Sequence, residues 1–201
     1  MSTPFAHKSH SAVFFAGALS LLTLAACAPK ADQAADTAAV DTAAAAAPAP
    51  AGPSDPQIAH IAVTANSIDS TAGAVAVTKA QNKDVKAFAQ MMVTDHGGVN
   101  QQAVALATKL GVTPEDNDVS RQLLAGADQS ATELQAKTGA DFDKAYMDRE
   151  VAFHQAVLDA VDQTLIPSAQ NAELKDLLVK VRPAFVAHLE RAKSIRSSLG
   201  A

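Results

Sequence analysis

Four residues that can bind metal lie on the inward stripes of four separate stretches with helical periodicity. Asp69 interrupts the apolar stripe of the first stretch, and His96, His154 and His188 hold the corresponding positions in three others. Imidazole and carboxylate groups bind zinc, copper, iron and nickel, and facing helices commonly supply them. The pattern therefore predicts a transition-metal site made of these three histidines and one aspartate. It also fits a core in which neutral histidines hydrogen-bond to Asp69 or Tyr146.

Other chemistries have no matching motif in the chain. A ferritin-type di-iron centre needs Glu-x-x-His on two helices, whereas Val93, Val151 and Phe185 stand three residues before the histidines. The chain has no serine elbow and no glycine-rich phosphate loop. Methionines 91, 92 and 147 could hold Cu(I), but methionine at helical spacing is typical of core packing. With a net charge of -5 and dispersed Lys and Arg, the chain also lacks the basic patch that a nucleic-acid partner requires.

The elements that must position these residues are helices, since apolar residues recur at three- and four-residue steps and no strand pattern competes. The predicted helices run from Ser54-Asp55-Pro56 to about Ala80, after Gln81-Asn82-Lys83 to a stop at Gly111, from about Val119 to Gln135, from about Asp141 to Leu165, and after Pro167-Ser168 through Leu199. Four of them are long and amphipathic. They predict an all-α, antiparallel four-helix bundle over 55–201, with the 119–135 helix as an extra connection between the second and third long helices.

The heights of the four polar residues along such a bundle follow from the helical rise of about 1.5 Å per residue. With the turns near Asn82 and Pro167 placed at the same end, Asp69, His96 and His154 are expected roughly 17 to 20 Å from that end. His188 is then expected about 10 Å deeper, near the level of Glu150 or Asp148. Three of the four residues are thus predicted to meet.

Two features inside the helices oppose helical propensity. Gly97 and Gly98 follow His96 directly, and each costs about 1 kcal/mol relative to alanine. They fit either the close approach of a neighbouring helix, a bulge or a ligand, or a solvent-facing position that the helix tolerates. Pro183 lies five residues before His188 and removes a backbone hydrogen bond. A kink there would either aim the ring of His188 or curve the helix around the core.

The N-terminal region predicts export and anchoring. Residues 1–26 carry a weakly basic start and an apolar run too short for a membrane span, which indicates a signal peptide. Its end, Leu24-Ala25-Ala26-Cys27, resembles the bacterial lipobox, so Cys27 is the predicted lipid attachment site. Ala28, rather than aspartate, follows the cysteine, which favours the outer membrane. The Ala- and Pro-rich segment 27–54 has too few large apolar residues to fold and is predicted to be a disordered tether.

Three blocks of the chain resemble a known bacterial envelope family, catalogued as domain of unknown function 4142 and often described as an outer membrane protein. The blocks are VKAFAQMMVTDHGGVN (85–100), FDKAYMDREVAFHQAVL (142–158) and VRPAFVAHLERA (181–192). The resemblance implies a ferritin-like helical bundle over about 55–199 and no particular activity. It marks as matches to the family pattern Asp95, His96, Asn100, Tyr146, Met147, His154, Pro183 and His188. The chain departs from that pattern at Thr71, where the family usually has glutamate, and at Phe153, where an acidic residue is frequent.

These observations together predict an outer-membrane lipoprotein that faces the periplasm and is attached to the membrane through Cys27. Its expected role is non-enzymatic, as a binding or stress-related envelope protein with a transition-metal site at His96, His154, His188 and Asp69. No catalytic residue, organic cofactor or protein partner is predicted. The alternative is a metalloenzyme that acts on reactive oxygen or on metal ions.

Overall fold

Helices make up nearly all of the described part of the chain. The computed structural model describes residues 52–200. They form α1 (Asp55–Lys79), α2 (Lys83–Leu110), α3 (Asp118–Gln135), α4 (Gly139–Ala160) and α5 (Ala172–Ser198). No strand occurs within 52–200, so the all-α prediction is confirmed for this part. The predicted signal peptide, Cys27 and all but the last three residues of the predicted tether lie outside the described residues.

Local sequence signals set the helix ends. Ser54 begins α1 with its backbone amide donating to Gln57 Oε1 at 3.0 Å. The side chain of Asn82 caps α2 by accepting from the amides of Asp84 and Val85. Gly111 ends α2 in the left-handed conformation, with φ of 64°, which glycine adopts without steric cost. The predicted start at 54–56 and stop at 111 are therefore confirmed.

The helix before the last turn is longer than predicted. After α4 the helical chain continues through a π-helical segment, Val161–Leu165, and a short turn of helix, Ile166–Ser168. In a regular helix the ring of Pro167 would clash with the carbonyl group four residues earlier. The wider π turn just before it allows the helix to continue to Ser168. The predicted end at Leu165 is therefore three residues too early.

Two aspartates show which helix ends lie together. Asp143, near the start of α4, accepts hydrogen bonds from the backbone amides of Gln81 at 3.1 Å and Asn82 at 2.7 Å. Asp55, at the start of α1, accepts from the amides of Gln170 and Asn171, both at 2.9 Å. The α1–α2 turn and the α4–α5 turn are therefore at opposite ends of the molecule. The prediction that they share one end is wrong.

The reason is the path of α3, which carries the chain back along α1. The amide of Glu115, just before α3, donates to the carbonyl of Pro56 at 3.0 Å. At the other end of α3, Lys79 Nζ donates to the carbonyl of Leu134 at 2.9 Å. Helix α4 therefore begins beside the α1–α2 turn and runs in the same direction as α2.

The contacts between helices surround a shared interior. Helix α1 packs on α2 and α4, α5 packs on α2 and α4, and α3 contacts α1 and α4. The four contacting pairs α1–α2, α1–α4, α2–α5 and α4–α5 are antiparallel. One apolar cluster around Phe88, Phe142 and Tyr146 lies near the α1–α2 turn, and another around Ile58 and Leu174 lies near the α4–α5 turn. Among the described helices, none combines the length and apolarity that crossing a membrane requires.

Removal of the Asp143 carboxylate should loosen the end of the molecule where α4 meets the α1–α2 turn. We expect Asp143→Ala to lower the free energy of unfolding by about 2 kcal/mol. Two backbone amides lose their carboxylate acceptor, and water replaces it only in part. Chemical denaturation followed by circular dichroism measures the change. Asp143→Asn, which keeps one acceptor oxygen, should lose less. Equal losses in both variants would show that the two hydrogen bonds do not hold this end.

The glycines after His96 do not mark a close approach. A Cβ atom added to Gly97 or Gly98 would meet no atom within 4 Å apart from the local helix backbone and chain neighbours, whereas a Cβ on Gly73 would lie 2.9 Å from the carbonyl oxygen of Ala89. Both glycines are half-buried, and a side chain at either position would enter open space, so the helix tolerates them without a close neighbour. Close packing of α1 on α2 occurs at Gly73 instead.

Replacing these glycines by alanine should show whether helix propensity or packing determines stability at each position. We expect Gly97→Ala and Gly98→Ala each to raise the free energy of unfolding by about 1 kcal/mol, since alanine is the better helix former and has room. Gly73→Ala should lower it, because the added methyl group meets the backbone of α2. Thermal denaturation of the three variants tests this. Destabilisation by the alanines at 97 and 98 would contradict the expectation.

Candidate metal centre

The structure brings together all four residues of the predicted metal set. Asp69 comes from α1, His96 from α2, His154 from α4 and His188 from α5. Each lies 10 to 15 residues from the helix end nearest the α1–α2 turn, roughly 15 to 22 Å at about 1.5 Å per residue. All four are buried, with at most 3% of each residue exposed. They lie between the two apolar clusters.

The greater depth predicted for His188 is wrong. Its ring centroid is 5.3 Å from that of His96 and 5.5 Å from that of His154, and the latter two are 5.4 Å apart. One ring nitrogen of each histidine lies within 4.8 Å of the others. The expectation failed because it measured the position of His188 from Pro167 and placed that turn at the same end as Asn82. The last helix begins only at Ala172, and it begins at the opposite end.

Each histidine uses one ring nitrogen in a hydrogen bond that orients the ring. His96 Nδ1 is 2.8 Å from Asn66 Oδ1, and His154 Nδ1 is 3.0 Å from the backbone carbonyl of Glu150. His188 Nε2 is 3.0 Å from Asp95 Oδ2. Carbonyl and carboxylate oxygens only accept, so these ring nitrogens carry the protons. Metal-binding histidines are oriented by outer partners of this kind.

The other nitrogen of each ring is buried and has no hydrogen-bond partner in the protein. These atoms are His96 Nε2, His154 Nε2 and His188 Nδ1. In neutral imidazole they carry a lone pair, which is the form that binds a metal ion. Buried polar atoms without partners are uncommon in proteins, and three in one cluster require a physical reason. The chemistry of this donor set fits a transition-metal ion.

Asp69 lies beside two of these nitrogens. Its Oδ2 atom is 2.9 Å from His96 Nε2 and 3.7 Å from His154 Nε2. When Nδ1 carries the only proton of the His96 ring, Nε2 and Asp69 Oδ2 are both acceptors, so the shorter contact leaves both atoms without a hydrogen-bond partner. Two ligands about 2.1 Å from one ion are separated by roughly 3.0 to 3.5 Å at angles between 90° and 109°. The distances around Asp69 are close to that range.

Two carboxyl groups that share one arginine complete the cluster. Arg149 Nη1 contacts both Asp69 Oδ1 and Glu150 Oε1. Burial raises the pKa of Asp69, but the contact with His96 and the charge of Arg149 outweigh burial and hold the pKa well below its ordinary value. Burial and the nearby Asp69 charge raise the pKa of Glu150 well above its ordinary value. Of the two carboxyl groups, Asp69 is the one that is charged.

Burial also keeps two of the imidazoles neutral. Burial lowers the pKa of His154 to about 4, although the charge of Asp69 opposes the shift. Burial lowers the pKa of His188 too, against the effect of its hydrogen bond to Asp95. At pH 7 both rings are therefore in the form that can donate a lone pair.

Apolar groups surround the imidazoles. The ring of His96 stacks on Phe185, with centroids 5.2 Å apart and planes 4° apart. The ring of His154 meets the edges of Phe88 and Phe153. A cavity of about 100 Å³ with mainly apolar walls also reaches His96. The cluster is thus shielded from water by side chains that cannot hydrogen-bond to it.

Four residues that contact the cluster were not among the predicted ligands, although the family resemblance marked one of them, Asp95. Glu150 had a usable signal, because it lies four residues before His154 and therefore on the same helix face. Arg149 is adjacent to Glu150, and its spacing from the histidines in the sequence does not indicate that it contacts the cluster. Asn66 and Asp95 become partners of histidines only because helices pack at a particular register. Asp95 precedes His96 in the chain but hydrogen-bonds to His188.

Fold and site define an all-α protein in which four long helices converge on a buried cluster of three imidazoles and two carboxyl groups. The chain belongs to the family described as Domain of unknown function (DUF4142), whose model matches residues 39–195. The predicted family is thereby confirmed. The match begins within the predicted tether, upstream of α1. No curated protein and no solved structure matches the chain significantly.

Proposed function

We propose that this protein is a lipid-anchored bacterial envelope protein in which α1, α2, α4 and α5 form a ferritin-like four-helix bundle around one transition-metal ion. His96, His154, His188 and Asp69 are the proposed ligands. The observation that carries the proposal is that three buried imidazoles from three helices each bring one ring nitrogen within 4.8 Å of the other two. Each ring also has one buried nitrogen without a hydrogen-bond partner. Each lone pair is oriented by a hydrogen bond at the opposite side of its ring.

The burial of these ligands favours binding over catalysis. Catalytic metal sites keep a coordination position open to substrate, whereas closed sites hold their ion with protein ligands alone. No proposed ligand exposes more than 3% of its surface. We therefore propose a role in holding or sensing a metal ion in the envelope, as part of a binding or stress response.

Metal content tests the proposed centre. The untagged chain is stripped with a chelator, loaded with Zn²⁺ or Co²⁺, freed of excess ion and analysed by mass spectrometry. We expect one ion per chain. Metal far below one per chain would leave the histidines as core residues and overturn the proposal. Steady turnover of peroxide or Fe(II) by the loaded protein would favour a metalloenzyme instead.

The proposed anchor has a separate test. Expression of the full-length chain in a bacterial host should place it in the membrane fraction, with acyl chains on Cys27 that mass spectrometry detects. Cys27→Ala should release it from the membrane, since a lipid chain contributes about 0.8 kcal/mol per buried methylene and nothing else is proposed to anchor it. Equal membrane association of both forms would contradict lipid anchoring.

A further inference from the structure

A second group of ligand atoms overlaps the three histidines. One ligand atom each from Asp69, Glu150 and His154 lies within 4.8 Å of the other two. These residues are 0%, 0% and 1% exposed. Asp69 Oδ2 lies 3.7 Å from His154 Nε2, and Glu150 Oε2 lies 3.5 Å from His154 Nδ1. Neither carboxyl oxygen has a hydrogen-bond partner. Two carboxyl oxygens and one imidazole suit a harder divalent cation than three imidazoles do.

Arg149 already places a positive charge against this group. Its guanidinium contacts an oxygen of Asp69 and an oxygen of Glu150 at once. The guanidinium also lies over the ring of Phe153, with its central carbon 4.5 Å from the ring centroid, and only 11% of the side chain is exposed. Arginine stays protonated in proteins. Its charge is therefore permanent, and it opposes any cation that approaches the two carboxyl groups.

We propose that Asp69, Glu150 and His154 form an oxygen-rich cation site overlapping the three-histidine site, and that Arg149 occupies it and excludes hard divalent cations such as Mn²⁺. The inference rests on the proposed function in one respect, since Asp69 and His154 belong to both proposed ligand sets, so the two sites hold one ion at a time. Arg149 is thus a specificity-determining residue that favours ions preferring imidazole.

Mn²⁺ binding by variants of Arg149 tests the proposal. Electron paramagnetic resonance measures the free Mn²⁺ left by the untagged full-length chain. We expect Arg149→Gln to bind one Mn²⁺ at least about 100-fold more tightly than the unaltered chain, because the competing charge is gone. Arg149→Met keeps an apolar stem and removes the charge, so it should bind Mn²⁺ as tightly as Arg149→Gln. With two variants, the test still stands if one of them misfolds. Both variants are allowed to fold with Mn²⁺ present.

A matched control and a triple variant locate the ion. Arg182 pairs with Asp162 on the surface, so Arg182→Gln should leave Mn²⁺ binding unchanged. In Arg149→Gln/His96→Ala/His188→Ala, Mn²⁺ should still bind, since its proposed ligands remain. Loss of Mn²⁺ in that triple variant would place the ion among the histidines and overturn the inference.

The remaining outcomes separate this inference from the proposed function. Equal Mn²⁺ affinity in the unaltered chain and in both Arg149 variants would overturn the role of Arg149. Failure of the unaltered chain to bind Co²⁺, together with tight Mn²⁺ binding by Arg149→Gln and by the triple variant, would contradict the three-histidine centre and uphold the oxygen-rich site.

Discussion

Replacing His154 by alanine should lower the affinity for Co²⁺ or Zn²⁺ by more than about 100-fold. Loss of a partner that merely orients a ligand typically costs about 10- to 100-fold, and His154 is itself a proposed ligand. Its ring lies beside those of the other two histidines, and its Nε2 atom is 3.7 Å from Asp69 Oδ2. Alanine would remove this nitrogen, and the apolar side chains around the space left behind offer no other ligand atom. Competition with a coloured chelator measures the affinity, and the Co²⁺ absorption spectrum reports the ligand set.

His60 supplies the matched control for this variant. It also lies on the described helices, but its Nδ1 atom is 2.8 Å from Ser120 Oγ of α3 and it belongs to neither ligand group. His60→Ala should therefore leave the affinity within about twofold of the unaltered chain, a difference of about 0.4 kcal/mol. Equal losses in His60→Ala and His154→Ala would indicate adventitious binding by histidines in general. Unchanged affinity in both would remove His154 from the site.

Acidification should destabilise the metal-free chain through His154 by about 3 kcal/mol between pH 7 and pH 4. The folded-state pKa of His154 is about 4, below its ordinary value of 6.5. Between these two pKa values the imidazole is protonated in the unfolded chain and neutral in the folded chain. Stability that is present above pH 6.5 is therefore lost as the pH falls toward 4. Urea denaturation in the presence of a chelator, repeated across this range, measures the loss.

The comparison must be with His154→Gln, because other groups in the cluster titrate as well. The raised pKa of Glu150 acts in the opposite direction, since its proton stabilises the folded chain as the pH falls. The lowered pKa of His188 acts in the same direction as that of His154. His96, Asp69 and Arg149 are the other titratable groups that face His154, and all remain in the variant. We expect the stability difference between the two proteins to shrink by about 3 kcal/mol on acidification. Parallel curves would show that His154 does not remain neutral in the folded chain.

Helix positions and candidate ligands could be read from the sequence because both depend on local rules. Start and stop signals such as Ser54 and Gly111 act through the backbone of their own turn, so no distant partner is needed. Helical periodicity puts Asp69, His96 and His154 on inward faces in the same local way. The family could be recognised from three short blocks. Whether the histidines bind metal remains a prediction.

The directions of the helices and the partners within the cluster were decided by tertiary structure alone. The return path of α3 places the two turns at opposite ends, and the hydrogen bonds of Asp143 and Asp55 to those turns form only between residues far apart in the chain. Arg149 meets Asp69 across 80 residues of chain, and Asp95 meets His188 across 93. Such pairs depend on the rotation and register at which whole helices pack, and these are set by the summed fit of many side chains. Short-range pattern therefore identified the imidazoles, while packing determined the charges and hydrogen bonds around them.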